Sequence, residues 1–209
     1  RVNTYTSAHQ YYPEIAGYGE SNYVVTWYDE ARTDIYGQNY NIIGEPIGSE
    51  YRVNTTTYNT QANPSATTLE DGSYVITWYS RYQDTGSSDY GVYGQHYSAD
   101  GEPQGEEFQI NTTTSGQQYY PSIASLDDGG FVVTWRDDNG ATDSRGGSGI
   151  DVFGQRFDAN SAKVGDEFLI NADADSGSQY EPSVAGLGND KFVVTWRDDQ
   201  GGSHDQNDE

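Results

Sequence analysis

The chain has 209 residues, enough for one large domain or two small ones, and its formal net charge is −23. That charge argues against direct binding to nucleic acid or to an anionic membrane surface, because both need a basic face. Cysteine is absent, which excludes disulfides, thiol catalysis and cysteine-ligated zinc. No apolar run is long enough for a membrane-spanning helix, and the 19 Tyr, 6 Phe and 4 Trp indicate a folded protein rather than a disordered acidic tail.

One sequence pattern occurs four times along the chain. It begins with Asn, continues through a Gln-x-x-Pro motif, and ends in an aromatic-Val-Val-Thr-Trp run, in which Ile replaces the second Val once. The Asn-to-Trp spacing is 24, 24, 24 and 25 residues, over 3–27, 54–78, 111–135 and 171–196. A self-similar period of this length is typical of repeat architectures.

Each repeat predicts four short strands in the same order. The first follows the proline, as in Glu14-Ile15-Ala16. The second is the β-branched run that ends at Trp, which predicts a strand covered on both faces. The third alternates around an aromatic-Gly-Gln motif at 36–38, 93–95 and 153–155, and the fourth follows an Ala-Asp-Gly type of turn. No segment has a sustained helical period.

Four strands in each repeat predict an all-β, β-propeller-like fold of four repeats of about four antiparallel strands each. A β-solenoid is the alternative. We expect a single repeat domain over 1–209, with units at approximately 1–50, 51–107, 108–167 and 168–209, the last one incomplete.

The two ends of the chain do not coincide with the ends of a repeat. The chain opens at a fourth-strand motif, Arg1-Val2-Asn3, and stops 13 residues after Trp196. The pattern therefore predicts 15 strands, so that a ring would close with a defect, belong to a longer array, or be completed by self-association with a second molecule. The absence of an initial Met suggests a processed chain or an excised fragment.

The repeated motif, Asn-Thr-Thr-Thr followed by Gln-x-x-Pro-Ser-Ile-Ala, Asp-Gly-Gly-Phe-Val-Val-Thr-Trp and Tyr-Gly-Gln, resembles tandem repeats of large secreted bacterial proteins. Many of those are calcium-rich, RTX-type surface proteins and adhesins. The resemblance covers all four repeats and implies an extracellular location with a structural or adhesive role. It implies no catalytic residues.

The segments between Trp and Gly-Gln differ most among the repeats, and in a propeller they emerge on one face. We expect this rim to bind carbohydrate or a cell-surface or protein partner. Exposed tyrosines can stack on sugar rings, and the candidates are Tyr28, Tyr79, Tyr82 and Tyr90. Plain solvated loops are the alternative.

The third and fourth of these segments are rich in Asp and Gly, which suit the oxygen-rich coordination of calcium. Residues 146–154 also match the glycine-rich nonapeptide of calcium-binding β-rolls, in a single copy. Calcium is therefore the expected cofactor, with a solvated acidic turn as the alternative. The predicted ligands are Asp137, Asp138, Asp143, Asp151, Asp198 and Asp199.

The residues give little support to catalysis. His9, His96 and His204 occupy different positions of the repeat, and none has a nucleophile at a known spacing. The sequence therefore predicts a secreted, non-catalytic, lectin-like adhesion module that is stabilised by calcium. A structural spacer of a large secreted protein is the first alternative, and a glycan-processing propeller enzyme is the second.

Overall fold

The computed structural model describes residues 1–84, 90–138, 149–171 and 178–199. These residues form fourteen β-strands and no helix. The strands are β1 (Gln10–Tyr18), β2 (Asn22–Asp29), β3 (Asp34–Asn41), β4 (Pro46–Arg52), β5 (Gln61–Thr68), β6 (Tyr74–Arg81), β7 (Tyr90–Tyr97), β8 (Pro103–Gln109), β9 (Gln117–Ser125), β10 (Phe131–Asp138), β11 (Asp151–Phe157), β12 (Lys163–Leu169), β13 (Ser178–Leu187) and β14 (Lys191–Asp199). No helix in this described part is long and apolar enough to cross a membrane.

The strands follow one another within four antiparallel sheets, which we number 1 to 4. Sheet 1 is β1–β4, sheet 2 is β5–β8, sheet 3 is β9–β12 and sheet 4 is β13–β14. A single parallel bridge, Tyr90 to Gln117, joins sheets 2 and 3. The first strands of consecutive sheets lie side by side, β1 by β5, β5 by β9 and β9 by β13. This arrangement of repeated sheets around their first strands confirms the predicted all-β, propeller-like fold.

The predicted fifteenth strand is absent from the described residues. Arg1, Val2 and Asn3 are not in a strand. In sheet 1 the fourth strand, β4, pairs with the third strand, β3, and residues 1–3 have no such strand partner among the described residues. Val2 instead accepts a hydrogen bond at its carbonyl oxygen from the Tyr40 hydroxyl, at 3.2 Å.

The core lies between the sheets. One face of each sheet packs on the opposite face of the next, so that Tyr18 and Val24 of sheet 1 contact Ile76 and Trp78 of sheet 2 in one buried cluster. Equivalent clusters join sheet 2 to sheet 3 and sheet 3 to sheet 4. The β-branched run of β6 and β10 is buried on both faces, as its composition predicts.

The repeated Asn and Gln bind consecutive sheets to each other. The Asn111 side chain accepts a hydrogen bond from the Val92 amide at 2.8 Å and donates one to Gln118 Oε1 at 3.3 Å. The same Asn–Gln pair occurs in the other repeats, as Asn3–Gln10, Asn54–Gln61 and Asn171–Gln179. The repeated Asn therefore links two sheets, since it bonds the third strand of one and the Gln at the start of the next.

The first strands begin earlier than predicted, at or one residue before the Gln of the Gln-x-x-Pro motif, and each passes through the proline with a break in register. The residue before the proline has a left-handed backbone in every repeat: φ is 53° at Tyr12 and 52° at Asn63, Tyr120 and Glu181. Non-glycine residues adopt this region at a cost in strain. Such β-bulges re-aim side chains and are common beside functional sites.

Candidate functional site

The four bulges surround one cavity of about 310 Å3, which we call the axial cavity. Because the bulge recurs in each first strand, the four repeats place equivalent residues around this space. The residues before the prolines are Tyr12, Asn63, Tyr120 and Glu181, and those after them are Glu14, Ser65, Ser122 and Ser183. All eight line the cavity.

Two carboxyl groups therefore face the same cavity from opposite ends of the chain. Glu14 stands where the other repeats have Ser, and Glu181 stands where they have Tyr or Asn. Neither residue follows the repeat pattern. This departure from the repeat is the sequence signal that could have marked the two positions.

The two carboxyl groups have different surroundings. Glu14 is open to solvent, yet the nearby protein removes enough water from its carboxyl group to raise its pKa above the usual value. Glu181 forms an ion pair with Arg197, with Nη1 3.7 Å from Oε1. The cavity thus has one carboxyl group with a raised pKa and a second that lies beside a guanidinium, in a pair whose side chains are 62% and 63% exposed.

Tyrosines from three sheets lie beside the cavity in two sets of ring contacts, which together we call the Tyr wall: Tyr11, Tyr12 and Tyr28 in sheet 1, and Tyr79, Tyr90, Tyr119 and Tyr120 in sheets 2 and 3. In the second set, the Tyr79 ring centroid is 5.4 Å from that of Tyr90 and 6.3 Å from that of Tyr120. Burial raises the pKa of Tyr79, and the proximity of Tyr120, Tyr90, Tyr12 and Tyr28 raises it further. Since Tyr12 and Tyr120 also line the cavity, the wall and the cavity are continuous.

On the side of sheets 3 and 4, arginine side chains lie over the aromatic rings. The Arg136 guanidinium lies over Tyr119 and Tyr180, at 5.4 and 4.8 Å from the ring centroids. Arg197 lies over the Tyr180 ring at 4.9 Å. Arg197 thus lies between the Tyr180 ring and Glu181, although its side chain is 62% exposed.

The predicted sugar-binding tyrosines divide into two groups. Tyr28, Tyr79 and Tyr90 belong to the Tyr wall. Tyr82 does not: it is 47% exposed and pairs with Arg81, whose Nη2 donates to the Tyr82 hydroxyl at 3.2 Å. The structure therefore brings three of the four together, with Tyr11, Tyr12, Tyr119 and Tyr120 as members that the sequence did not indicate.

The predicted calcium ligands do not form a metal centre among the described residues, where no three His, Cys, Asp or Glu side chains are grouped to hold an ion. Several of them instead accept hydrogen bonds from the repeated amides: Asp137 from Gln118, Asp151 from Asn171 and Asp198 from Gln179. Asp138 pairs with Arg136 at 3.6 Å, and Asp199 is at the end of β14 opposite Ser178. Asp143 lies outside the described residues, so a calcium cofactor stays a prediction.

The fold is similar to solved carbohydrate-processing enzymes at low sequence identity. An α-L-arabinofuranosidase from Fusarium graminearum, solved with an iminosugar inhibitor, matches with a TM-score of 0.62 and 11% identity, over 93% of this chain and 61% of that one. A Hadza microbial sialidase matches with a TM-score of 0.63 and 12% identity, over 91% of this chain and 42% of its own. A protein of unknown function from Dyadobacter fermentans matches with a TM-score of 0.58 and 10% identity, over 92% and 63%.

The chain thus spans less than two thirds of the length of these three structures. No protein-family model matches it, and no curated protein does either. At these identities the comparisons establish the β-propeller-like fold of the chain.

These comparisons correct the functional reading of the sequence. The resemblance to RTX-type adhesin repeats was wrong, because the similar structures include arabinofuranosidases, an arabinanase and a sialidase and no adhesin repeat is among those compared. The same structures contradict the prediction of a non-catalytic, lectin-like adhesion module that is not an enzyme. The prediction placed function in the variable loops, whereas the two carboxyl groups that depart from the repeat and line the axial cavity lie in the first strands.

Proposed function

We propose that the protein is a glycan-processing enzyme that cleaves glycosidic bonds at the axial cavity. The observation that carries the proposal is the convergence of Glu14 and Glu181 on one cavity. Glycoside hydrolysis is ordinarily performed by two carboxyl groups that flank the scissile bond. The similarity in fold to arabinofuranosidases and a sialidase supports the same class of chemistry.

The surroundings of the two groups suggest their roles. Glu14, whose pKa is raised because the nearby protein removes part of the water around its carboxyl group, retains its proton to higher pH and is the candidate acid. It would protonate the oxygen of the leaving sugar as the C–O bond breaks. Glu181, which is held by Arg197 at 3.7 Å, is the candidate carboxylate that acts as nucleophile or as base toward water.

The Tyr wall offers the binding surface for the sugar rings. Tyr11 and Tyr12 are 41% and 49% exposed, so their rings can be contacted from solvent. Tyrosine combines an apolar face with a hydroxyl group, and therefore both stacks on a sugar and hydrogen-bonds its hydroxyls. The Ser side chains at 65, 122 and 183 add further polar groups within the cavity.

A hydrolysis assay of purified protein tests the proposal. The substrates are arabinan, arabino-oligosaccharides, sialyl-oligosaccharides and a panel of nitrophenyl glycosides, with released sugar measured. We expect turnover of at least one substrate, and a fall in kcat of roughly 100-fold or more in both Glu14→Gln and Glu181→Gln. Glu20→Gln, an exposed acid in the turn after β1, is the matched control and should retain full activity.

Two results would overturn the proposal. One is the absence of turnover across the whole panel. The other is hydrolysis that both cavity variants leave unchanged while their melting curves match the wild type, since the activity would then arise elsewhere.

A further inference from the structure

The contacts between consecutive sheets follow one rule. Where one sheet follows another, the residue two positions after the proline of the Gln-x-x-Pro motif packs on an apolar pair of the preceding sheet. Ile123 of sheet 3 lies in one buried cluster with Leu69 and Val75 of sheet 2. Val184 of sheet 4 lies in another with Leu126 and Val132 of sheet 3.

Burial is nearly complete at these internal contacts. Ile123 and Val184 are 7% and 8% exposed, Leu69 and Leu126 are both 3% exposed, and Val75 and Val132 are fully buried. Each sheet thus has two complementary surfaces. We call the one that carries the Ile123 position the front face and the one that carries the Leu69 and Val75 positions the back face.

The same positions are uncovered at the two ends of the described arc. Ile15, the equivalent of Ile123 on the front face of sheet 1, is 62% exposed. Leu187 and Val193, the equivalents of Leu69 and Val75 on the back face of sheet 4, are 49% and 45% exposed. The two end faces do not cover each other. The strands β1 and β13 lack the extended contact that β1 makes with β5 and that β9 makes with β13.

We infer that a second copy of this chain covers these faces, with the front face of sheet 1 in one copy packed on the back face of sheet 4 in the other. The occupant is argued from the interface that already exists three times within the chain. Ile15 would enter the site formed by Leu187 and Val193 as Val184 enters the site formed by Leu126 and Val132. The contact is head-to-tail. Repeated contacts of this kind produce a closed ring of copies or an open filament, depending on the rotation between neighbouring copies. It does not depend on the proposed function.

Charge opposes this association. Each copy carries a formal net charge of −23, and like-charged copies repel each other at low ionic strength. Added salt screens this repulsion, whereas it leaves the apolar contact in place. We therefore expect association to be weakest in low salt and to strengthen as the salt concentration rises.

Sedimentation and light scattering over a range of protein and salt concentrations test the inference. Wild-type protein should form species larger than the 23.1 kDa monomer as either concentration rises. Ile15→Asp and Val193→Asp should each remain monomeric, because each destroys one of the two faces. Ile43→Asp is the control: Ile43 is 76% exposed but lies in the turn between β3 and β4, away from both faces.

A mixture of the two variants provides the decisive measurement. Ile15→Asp retains an intact back face and Val193→Asp retains an intact front face, so an equimolar mixture should form a 1:1 complex of twice the monomer mass. Recovery of binding also shows that both variants are folded. The inference is overturned if the wild type stays monomeric throughout, if Ile43→Asp dissociates it equally, or if the mixture does not form the complex.

Discussion

Asn171 donates a hydrogen bond from Nδ2 to Oε1 of Gln179 at 2.8 Å, and both side chains are almost fully buried. Asn171 also accepts the Val152 amide of sheet 3 at Oδ1, while Gln179 belongs to β13 of sheet 4. The pair therefore joins consecutive sheets through polar groups that have no access to water. Because an unpaired buried group costs free energy, the repeated Asn and Gln hold the angle between sheets.

Replacing the equivalent Asn111 by Ala should lower the free energy of unfolding by roughly 2 to 3 kcal/mol, since it leaves the Val92 amide without its buried acceptor. Urea denaturation measures the change. Asn160→Ala, in an exposed turn, is the control and should alter stability little. Equal stability of Asn111→Ala and wild type would show that the sheets do not rely on this bond.

The glycine of the aromatic-Gly-Gln motif is required by packing. A Cβ on Gly94 would lie 3.0 Å from Phe108 Cζ and 3.3 Å from Ile110 Cδ1, both from the neighbouring β8 region. We expect Gly94→Ala to destabilise the protein by roughly 1 to 3 kcal/mol through overpacking. Thermal melting compares it with Gly188→Ala, where the nearest atom is an Asp127 oxygen at 3.7 Å; a similar Tm for the two variants would contradict the explanation.

Asp137 should make stability depend on pH. Burial raises its pKa to about 7; the hydrogen bond from Gln118 acts to lower it, and Glu167, Asp151 and Asp138 raise it further. Since the folded state then binds the proton more tightly than the unfolded state does, this group's contribution to stability is present below pH 4 and is lost as pH rises toward 7.

The test is the variant Asp137→Asn, which keeps an oxygen for Gln118 and cannot ionise. At pH 8 it should be more stable than the wild type by roughly 1 to 3 kcal/mol, and the difference should shrink toward pH 4. Urea denaturation at several pH values measures both. A difference that does not change with pH would show that Asp137 titrates normally.

The proposed acid, Glu14, sets an expectation for the pH–rate profile. Only the protonated carboxyl group can donate to the leaving oxygen, and the raised pKa of Glu14 extends that form to higher pH. The value of kcat/KM should therefore fall on the alkaline side as pH passes this pKa. This alkaline fall in kcat/KM should be absent in Glu14→Gln. The variant is measured with a substrate whose leaving group needs no proton. If the fall persists in the variant, another group is responsible for it.

The sequence alone determined the architecture. Four copies of one pattern, with β-branched runs and turn residues at fixed spacing, are local signals, and each repeat became a sheet whose strands pair in sequence order. Three members of the Tyr wall could also be predicted from the sequence, because Tyr28, Tyr79 and Tyr90 lie in the variable segments that share one end of the sheets.

Only the tertiary structure decided which residues share a site and which faces are covered. Glu14 and Glu181 are 167 positions apart in the sequence, and they meet because four bulged first strands surround one space. Ile15 and Ile123 occupy the same position of the same motif, yet they are 62% and 7% exposed. Burial depends on the neighbour that packs against a residue, and a sequence repeat specifies the surface of each sheet without specifying what covers it.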